Sequence, residues 1–372
     1  MNRRAKAVVL EEFDSLPALR EFDVVAPAVG ELVVSGVYGG ICGTDLHLQQ
    51  GHLPIPIPVV LGHEGLGTID EVGSGIHLDA LGNPLSIGDR VMWASSIACG
   101  TCIPCRQHRE PTLCEQRATY GVNRPASGRA ALAGAWAESI LLHPGTTVVK
   151  VPATIDSIEA MSLACAGPTM IHALYERRPV RLGETVVVQG AGPVGLAAAA
   201  MAQLGGAGLV IVVGGPENRL AIARKCGIGD AHVDITEQNP ADALRQVRDL
   251  LPTSAADLVI ECTGSPEAIQ QGIELARRGG SYLVVGQYTD AGSAWINPHH
   301  IVRQQLDVVG SWAFSGAHLV EYVRLLPALT RRFSLADLVT VFPIGDYADA
   351  MDAVRGTRVL KAVLSTHGSA TP

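Results

Sequence analysis

Aromatic side chains are scarce in this sequence, at 4% of residues, and charged ones make up only 17%. With so few charges beside 47% apolar residues, the chain lacks the composition of a disordered polymer and must bury largely aliphatic cores. Basic charge is in deficit as well. The 28 Lys and Arg face 36 Asp and Glu for a net charge of -8, which removes the electrostatic footprint of a nucleic-acid partner. No apolar run approaches the roughly 18 residues that a membrane span requires, so no membrane partner is expected. The opening Met1-Asn2-Arg3-Arg4-Ala5-Lys6-Ala7-Val8-Val9-Leu10 passes straight into Glu11-Glu12, without the apolar core or small-residue cleavage site of a secretory leader. Internal repeats and low-complexity tracts are missing too. Together these absences predict a cytoplasmic, enzyme-like chain.

At 372 residues the length exceeds what one hydrophobic core usually organises, so two domains are expected. Short apolar runs at 5–10, 31–37, 67–72, 90–94, 137–142 and 146–151, broken by Gly and Pro, predict a compact and mostly antiparallel β region. A helical pattern at 157–175 marks a change of texture. Strand-like runs at 185–189, 209–213, 231–233, 258–261, 281–285 and 306–309 then alternate with helical ones at 193–204, 217–225, 241–251 and 266–277. Six strands alternating with helices predict a doubly wound parallel sheet in an α/β fold. After position 311 come a helix at 318–326, a strand at 339–343, a helix at 347–354 and a strand at 361–364. A polar tail at 366–372 is expected to fray. This last section is too small to stand alone and is expected to rejoin the first domain.

Two stretches collect the chemistry. Ile41-Cys42-Gly43-Thr44-Asp45-Leu46-His47 and Leu61-Gly62-His63-Glu64-Gly65-Leu66-Gly67 bring a thiol, two imidazoles, two carboxylates and a hydroxyl among glycines. That is the inventory of a catalytic zinc site, and also of a loop with a buried Cys, a capping Asp and a core His. Cys165, in Ala164-Cys165-Ala166-Gly167-Pro168-Thr169, supplies a third ligand, and a Cys, His, Cys set leaves the fourth position open as catalytic zinc requires. Cys99-Gly100-Thr101-Cys102-Ile103-Pro104-Cys105 with Cys114 places four thiols in one short loop. Four thiolates close the coordination of a structural zinc, and two local disulfides are the alternative. Cys226 and Cys262 fall among apolar neighbours and read as core thiols.

Val188-Gln189-Gly190-Ala191-Gly192-Pro193-Val194-Gly195 is a Gly-x-Gly-x-x-Gly fingerprint between a strand and a helix. Gly190 suits a tight turn, Gly192 the approach of a pyrophosphate and Gly195 close packing, while Pro193 and Val194 open a helix whose N-terminus favours an anion. The other reading is a glycine-rich turn without a ligand. The second strand ends at Gly214, where an acidic residue would hold the ribose hydroxyls of NAD. Its absence, with Arg219 nearby, favours NADP, yet Arg219 also reads as a solvated helix residue and Glu217 as a ribose partner.

Taken in order, these motifs resemble the zinc-dependent medium-chain dehydrogenase/reductase family, the alcohol dehydrogenases. Cys42-Gly43-Thr44-Asp45-x-His47 matches its first ligand segment, and Gly62-His63-Glu64-x-x-Gly67 with Gly73 and Ile76 matches its zinc signature. Gly88-Asp89-Arg90-Val91, the cysteine lobe, the Cys165 segment and the fingerprint follow in register. The resemblance implies a GroES-like β-rich catalytic domain over 1–170 and 311–372 and a Rossmann NAD(P)-binding domain over 171–310. It implies two zinc ions per subunit and NAD or NADP, and an alcohol interconverted with its aldehyde or ketone by hydride transfer. By the same resemblance Cys42, His63 and Cys165 are catalytic zinc ligands, with Glu64 a carboxylate able to exchange onto the metal. Asp45 orients His63, Thr169 lies beside the nicotinamide, and Thr44 receives the hydroxyl proton and passes it through the cofactor ribose to His47. The alternative for His47 is a surface imidazole. The family also implies a homodimer or homotetramer.

The sequence departs from the family pattern in three places. Cys165 stands where the polyol and threonine dehydrogenases carry Glu, the last interval of the cysteine lobe is one residue longer than usual, and Gly214 replaces an Asp. Trp93 and Trp136 are candidate walls of an apolar substrate pocket, with core packing the alternative for each. An aldehyde dismutase that retains its nicotinamide, a polyol or amino-alcohol dehydrogenase, and a catalytically silent relative are the other functional readings.

Overall fold

The computed structural model describes residues 3–366. Of the tail expected to fray, Thr366 is buried and its N–H donates to Val37 O at 3.2 Å, while 367–372 lie outside the described residues. The chain divides into two compact units. One holds the described residues through Cys165, Phe314–Leu326 and the described residues from Val339; the other holds Ala166–Ala313 and Pro327–Leu338.

The first unit is built on the strand Leu32–Ile41, which pairs antiparallel with Gly65–Val72, with Ser139–Leu142 and with Lys361–Ser365. Arg90–Trp93 and Val148–Lys150 extend the sheet on one side and Val339–Pro343 on the other. Arg4–Leu10 lies between Ala18–Asp23 and Val59–Val60 in a separate three-stranded sheet. The strand Ala18–Asp23 has no sequence forecast, because an exposed edge strand reading Ala-Leu-Arg-Glu-Phe-Asp shows no alternation to find. Two aliphatic clusters fill this unit, one around Val34, Ile69, Val91 and Ile140, the other around Val8, Leu10, Ile41, Leu61 and Leu364.

In the second unit six parallel strands lie in the order Ala231–Asp234, Leu209–Gly214, Thr185–Gln189, Ala256–Glu261, Ala276–Val284 and Asp307–Gly310. Numbered along the chain this order is 3-2-1-4-5-6, and it reverses between Thr185–Gln189 and Ala256–Glu261, the crevice where such sheets bind nucleotides. The central strands are continuous Val, Ile and Leu runs because both faces are covered. The helix Pro193–Leu204 is buried from Gly195 to Gln203, and its run of alanines lets it lie close to the sheet.

Two expected helices are corrected by backbone chemistry. The pattern at 157–175 is interrupted, with helices at Ser157–Ser162 and Ala166–Ile171 and a wide turn at His172–Arg177. Pro168 has no N–H to give to residue 164 and its ring crowds that carbonyl, so a continuous helix is barred. Leu163 leaves the helical region at φ -127° and ψ 32°, and the break carries Cys165. The helix Pro266–Leu275 stops short of position 277 because Ala276 opens the next strand. Among the described residues no helix is long and apolar enough to cross a membrane.

Candidate active site

Strand Leu32–Ile41 ends one residue before helix Gly43–Gln49 begins, and Cys42 is the hinge between them, at φ -116° and ψ 163°. The third helical residue, Asp45, accepts the Cys42 N–H through Oδ2 at 2.8 Å, which satisfies one of the free donors at the helix start. Its other oxygen, Oδ1, stands 3.4 Å from His63 Nδ1. One wholly buried carboxylate thus fixes the backbone beside the thiol and turns the imidazole so that Nε2 faces inward, 4.0 Å from Glu64 Oε1. The ligand atoms of Cys42, His63, Glu64 and Cys165 all lie within 4.8 Å of one another.

The electrostatics of this cluster are those of a cation site. Hydrogen bonding from Cys165 pulls the Cys42 thiol well below its ordinary pKa, against the effect of burial, and the same contact pushes Cys165 well above its own. One thiol therefore ionises easily and the second resists. Burial opposes the charged form of His63, but Asp45 and then Cys42 outweigh it and raise its pKa. A divalent cation relieves each of these conflicts, because it favours two thiolates and takes the lone pair of Nε2. The residues therefore fit a zinc ion. Asp45 Oδ1, His63 Nδ1 and Glu64 Oε1 are buried without a hydrogen-bond partner.

Lys361, which the sequence reading missed, is 4% exposed beside this group. Its Nζ donates to Glu64 Oε2 at 2.5 Å and to Ile41 O at 3.0 Å. Pairing of Ala362 with Ile41 across the sheet delivers it there. Burial raises the pKa of Glu64, and Lys361 opposes that rise. The available signal was a lysine opening the strand Lys-Ala-Val-Leu, where a charge needs a buried partner.

Thr44 Oγ1 lies 3.9 Å from Cys42 Sγ. His47, further along the same helix, is half-buried, and its Nδ1 meets Nδ1 of His52 at 3.1 Å. Burial and then His52 lower its pKa. Trp136 is wholly buried and donates through Nε1 to Gly40 O at 2.9 Å, so the structure places it in the core. Trp93 is 3% exposed and its ring lies over Gly65, next to Glu64, with a buried indole N–H that has no partner.

The ligand atoms of Cys99, Cys102, Cys105 and Cys114 converge within 4.8 Å, and none of the eight cysteines is in a disulfide. Backbone and hydroxyl donors point at the sulfurs. Thr101 Oγ1, Thr101 N and Cys102 N each lie 3.4 Å from Cys99 Sγ, and Cys99 N lies 3.2 Å from Cys114 Sγ. The Thr101 bonds draw Cys99 down to about 6, while burial and then Cys102 push Cys105 up to about 12. Four sulfurs held this way also suit a tetrahedral cation.

In the other unit, strand Thr185–Gln189 runs into Gly190 at φ 114°, a turn that only glycine makes without strain. A Cβ on Gly195 would come within 1.8 Å of Gly190 O, so helix and turn touch at van der Waals distance. Gly192 caps the helix that Pro193 and Val194 open, and the nearest atom to a Cβ placed there is Arg219 Nη1 at 3.9 Å. Arg219 therefore reaches over the turn. Its Nε is buried without a partner, and burial lowers its pKa. Glu217 is engaged by Arg224 at 2.7 and 2.9 Å. Gly214 ends its strand against the turn, where a Cβ would lie 2.7 Å from Ala191 N. Thr169 is half-buried in helix Ala166–Ile171.

Known proteins resemble this chain in sequence and fold. The family model for the alcohol dehydrogenase GroES-like domain matches residues 28–153, and that for the zinc-binding dehydrogenase matches 193–328. The 5-exo-hydroxycamphor dehydrogenase of Pseudomonas putida is 30% identical over 364 residues, which cover 97% of this chain and 99% of that one. The chain belongs to the zinc-dependent medium-chain alcohol dehydrogenases. This dehydrogenase accordingly joins a GroES-like β-rich domain to a Rossmann domain, and it is an oxidoreductase of the zinc- and NAD(P)-dependent type. A sorbitol dehydrogenase of Halalkalibacterium halodurans is 31% identical over 355 residues, covering 94% of the dehydrogenase and 95% of that protein. An alcohol dehydrogenase from Thermotoga maritima superposes with a TM-score of 0.91 at 33% identity, covering 98% of this chain and 99% of that one.

Proposed function

We propose that the dehydrogenase oxidises a primary or secondary alcohol, or reduces the matching aldehyde or ketone, at the Cys42, His63 and Cys165 cluster. The observation that carries this is the convergence of those ligand atoms, with Glu64, within 4.8 Å. Cys42, His63 and Cys165 would hold a zinc ion that would supply Lewis acidity to the alcohol oxygen, and a bound NAD(P) would supply the hydride chemistry. Asp45 holds the tautomer and direction of the His63 ring. Glu64 would be a carboxylate in reserve, with Oε1 4.0 Å from His63 Nε2 and Oε2 bound by Lys361. Thr44 takes the hydroxyl proton, and His47, kept neutral by its lowered pKa, moves that proton toward water. Trp93 is the candidate wall of the substrate pocket.

Cys99, Cys102, Cys105 and Cys114 hold the second, structural zinc in this reading. Gly190, Gly192, Pro193, Val194 and Gly195 receive the cofactor pyrophosphate, with Thr169 beside the nicotinamide. At Gly214 no carboxylate repels a 2'-phosphate and the Arg219 guanidinium, whose buried Nε has no partner, can pair with one, so NADP is the favoured cofactor. The catalytic domain is assigned to 1–170 and 311–372 and the cofactor domain to 171–310. The enzyme is proposed to work in the cytoplasm, where its eight thiols stay reduced, as a homodimer or homotetramer. Resemblance to a sorbitol dehydrogenase supports polyols as a second substrate class. The test is a panel of simple alcohols, polyols and their carbonyls assayed with NAD and with NADP, beside zinc analysis of Cys42→Ala. Loss of one zinc per chain together with turnover is expected. Full turnover by a Cys42→Ala protein lacking that zinc would refute the reading.

A further inference from the structure

The helix Gly43–Gln49, which follows Cys42, is itself followed by a second imidazole. After Gln49 the chain turns through Gln50 and through Gly51 at φ 71°, and the His52 N–H returns to His47 O at 3.0 Å. Phe13 packs beneath this turn, with ring and Cβ atoms 3.2 to 3.6 Å from where a Gly51 Cβ would lie. The turn swings the His52 ring beside His47, with centroids 5.4 Å apart and the planes tilted by 38°. The two Nδ1 atoms are then 3.1 Å apart, a distance at which one ring donates and the other accepts. His47 is half-buried, whereas His52 is exposed.

We infer that His52 is the outer half of the proton path, taking the proton that His47 collects and delivering it to water. The inference rests on the reading of His47 as a proton carrier and extends it by one residue. A proton arriving at His47 Nε2 releases the proton on Nδ1 across the short bond to His52 Nδ1, and His52 gives up its own Nε2 proton to solvent. One proton enters and one leaves, and exchange with water resets the tautomers. Carbonyl reduction runs the same sequence inward.

Among the described residues, Cys42 acts on the pair, while other charged groups near it are bound elsewhere. Cys42, at the start of the helix, favours the protonated form of His47, and His52 opposes it. Asp45 is turned to Cys42 and His63. From helix Tyr347–Arg355, Arg355 binds Gln49 Oε1 at 3.1 Å and pairs with Asp352. From the N-terminal segment, the Asp14 N–H donates to Gln49 O at 2.7 Å.

The experiment follows both rings by side-chain 15N NMR in the zinc-loaded protein and in His52→Ala and His52→Gln, and measures kcat against pH for each. Removing the neighbouring imidazole is expected to raise the His47 titration, to move the acid limb of kcat upward with it, and to lower kcat roughly ten-fold. That is less than the ~100-fold or more that follows complete loss of a general acid–base group. Imidazole added to the buffer is expected to restore the rate of His52→Ala. His52→Gln keeps a hydrogen bond to His47 but cannot carry a proton, so full activity in it would reduce His52 to a positioning role and overturn the transfer. An unmoved His47 titration, an unmoved limb and no response to imidazole would also overturn it. His47→Ala separates the two levels: if it is fully active, the relay reading itself fails. If it is impaired while His52→Ala matches the parent, only the role of His52 fails.

Discussion

Replacing Lys361 with methionine removes the ammonium bonded to Glu64 and leaves a carboxylate that is 3% exposed, with one oxygen already unpartnered. At the observed 2.5 Å, and with an effective dielectric of about 20, the attraction between the two charges is about 7 kcal/mol. Desolvating each ion costs several kcal/mol, so the pair as a whole stands near break-even against an uncharged pair of similar shape. Breaking it from one side does not. Lys361→Met is expected to cost about 3–5 kcal/mol, while Lys361→Met combined with Glu64→Gln should cost about 1–2 kcal/mol, much of it from the donor lost at Ile41 O. Urea denaturation of the zinc-loaded protein, followed by tryptophan fluorescence, reads this out, since Trp93 and Trp136 are buried in the same unit as the pair. Equal losses in the single and double variants would show that Glu64 does not depend on Lys361, and the electrostatic account of the cluster would fall.

Three further outcomes follow from other parts of the molecule. Cys114→Ser is expected to remove one zinc per chain while leaving the zinc at Cys42, His63 and Cys165, so metal analysis should fall from two to one; loss of both ions would contradict two independent sites. Arg219→Ala should raise KM for NADP by roughly 10- to 100-fold, the size of a lost hydrogen bond to a charged group, and should change KM for NAD much less. An equal effect on both cofactors would assign Arg219 to the pyrophosphate instead. Glu184 accepts two bonds from Arg178, at 2.6 and 2.8 Å, and one from Arg181 N. Burial alone would raise its pKa, but Arg178 and Arg181 lower it on balance, so its contribution is present above the unfolded value of about 4.3 and lost as pH falls through the folded one. Glu184→Gln should therefore flatten the stability profile below about pH 4, and an unchanged acid limb in thermal melts would argue against that linkage.

The parallel sheet was legible because strands buried on both faces must be runs of Val, Ile and Leu, and the helix Pro193–Leu204 because its glycine turn and proline announce it. The exposed strand Ala18–Asp23 was not, since its pairing with Arg4–Leu10 is a tertiary fact with no local pattern. The break that carries Cys165 was available in Pro168, but the apolar spacing on both sides obscured it. The ligand segments were readable as motifs. Lys361 and His52 were not, because the meaning of the first comes from register across a sheet and that of the second from a turn that folds one imidazole onto another. For Trp136 the sequence left core and pocket equally open, and complete burial with a bonded N–H decided its place.

The central claim is that Cys42, His63 and Cys165 hold the zinc at which the alcohol reacts. Anomalous diffraction at the zinc edge, from crystals of protein shown to turn over an alcohol, tests it most directly. The account predicts two peaks per chain, one among the four sulfurs of the cysteine lobe and one bounded by Cys42 Sγ, His63 Nε2 and Cys165 Sγ. A single peak in the lobe, in protein that is fully active, would contradict it.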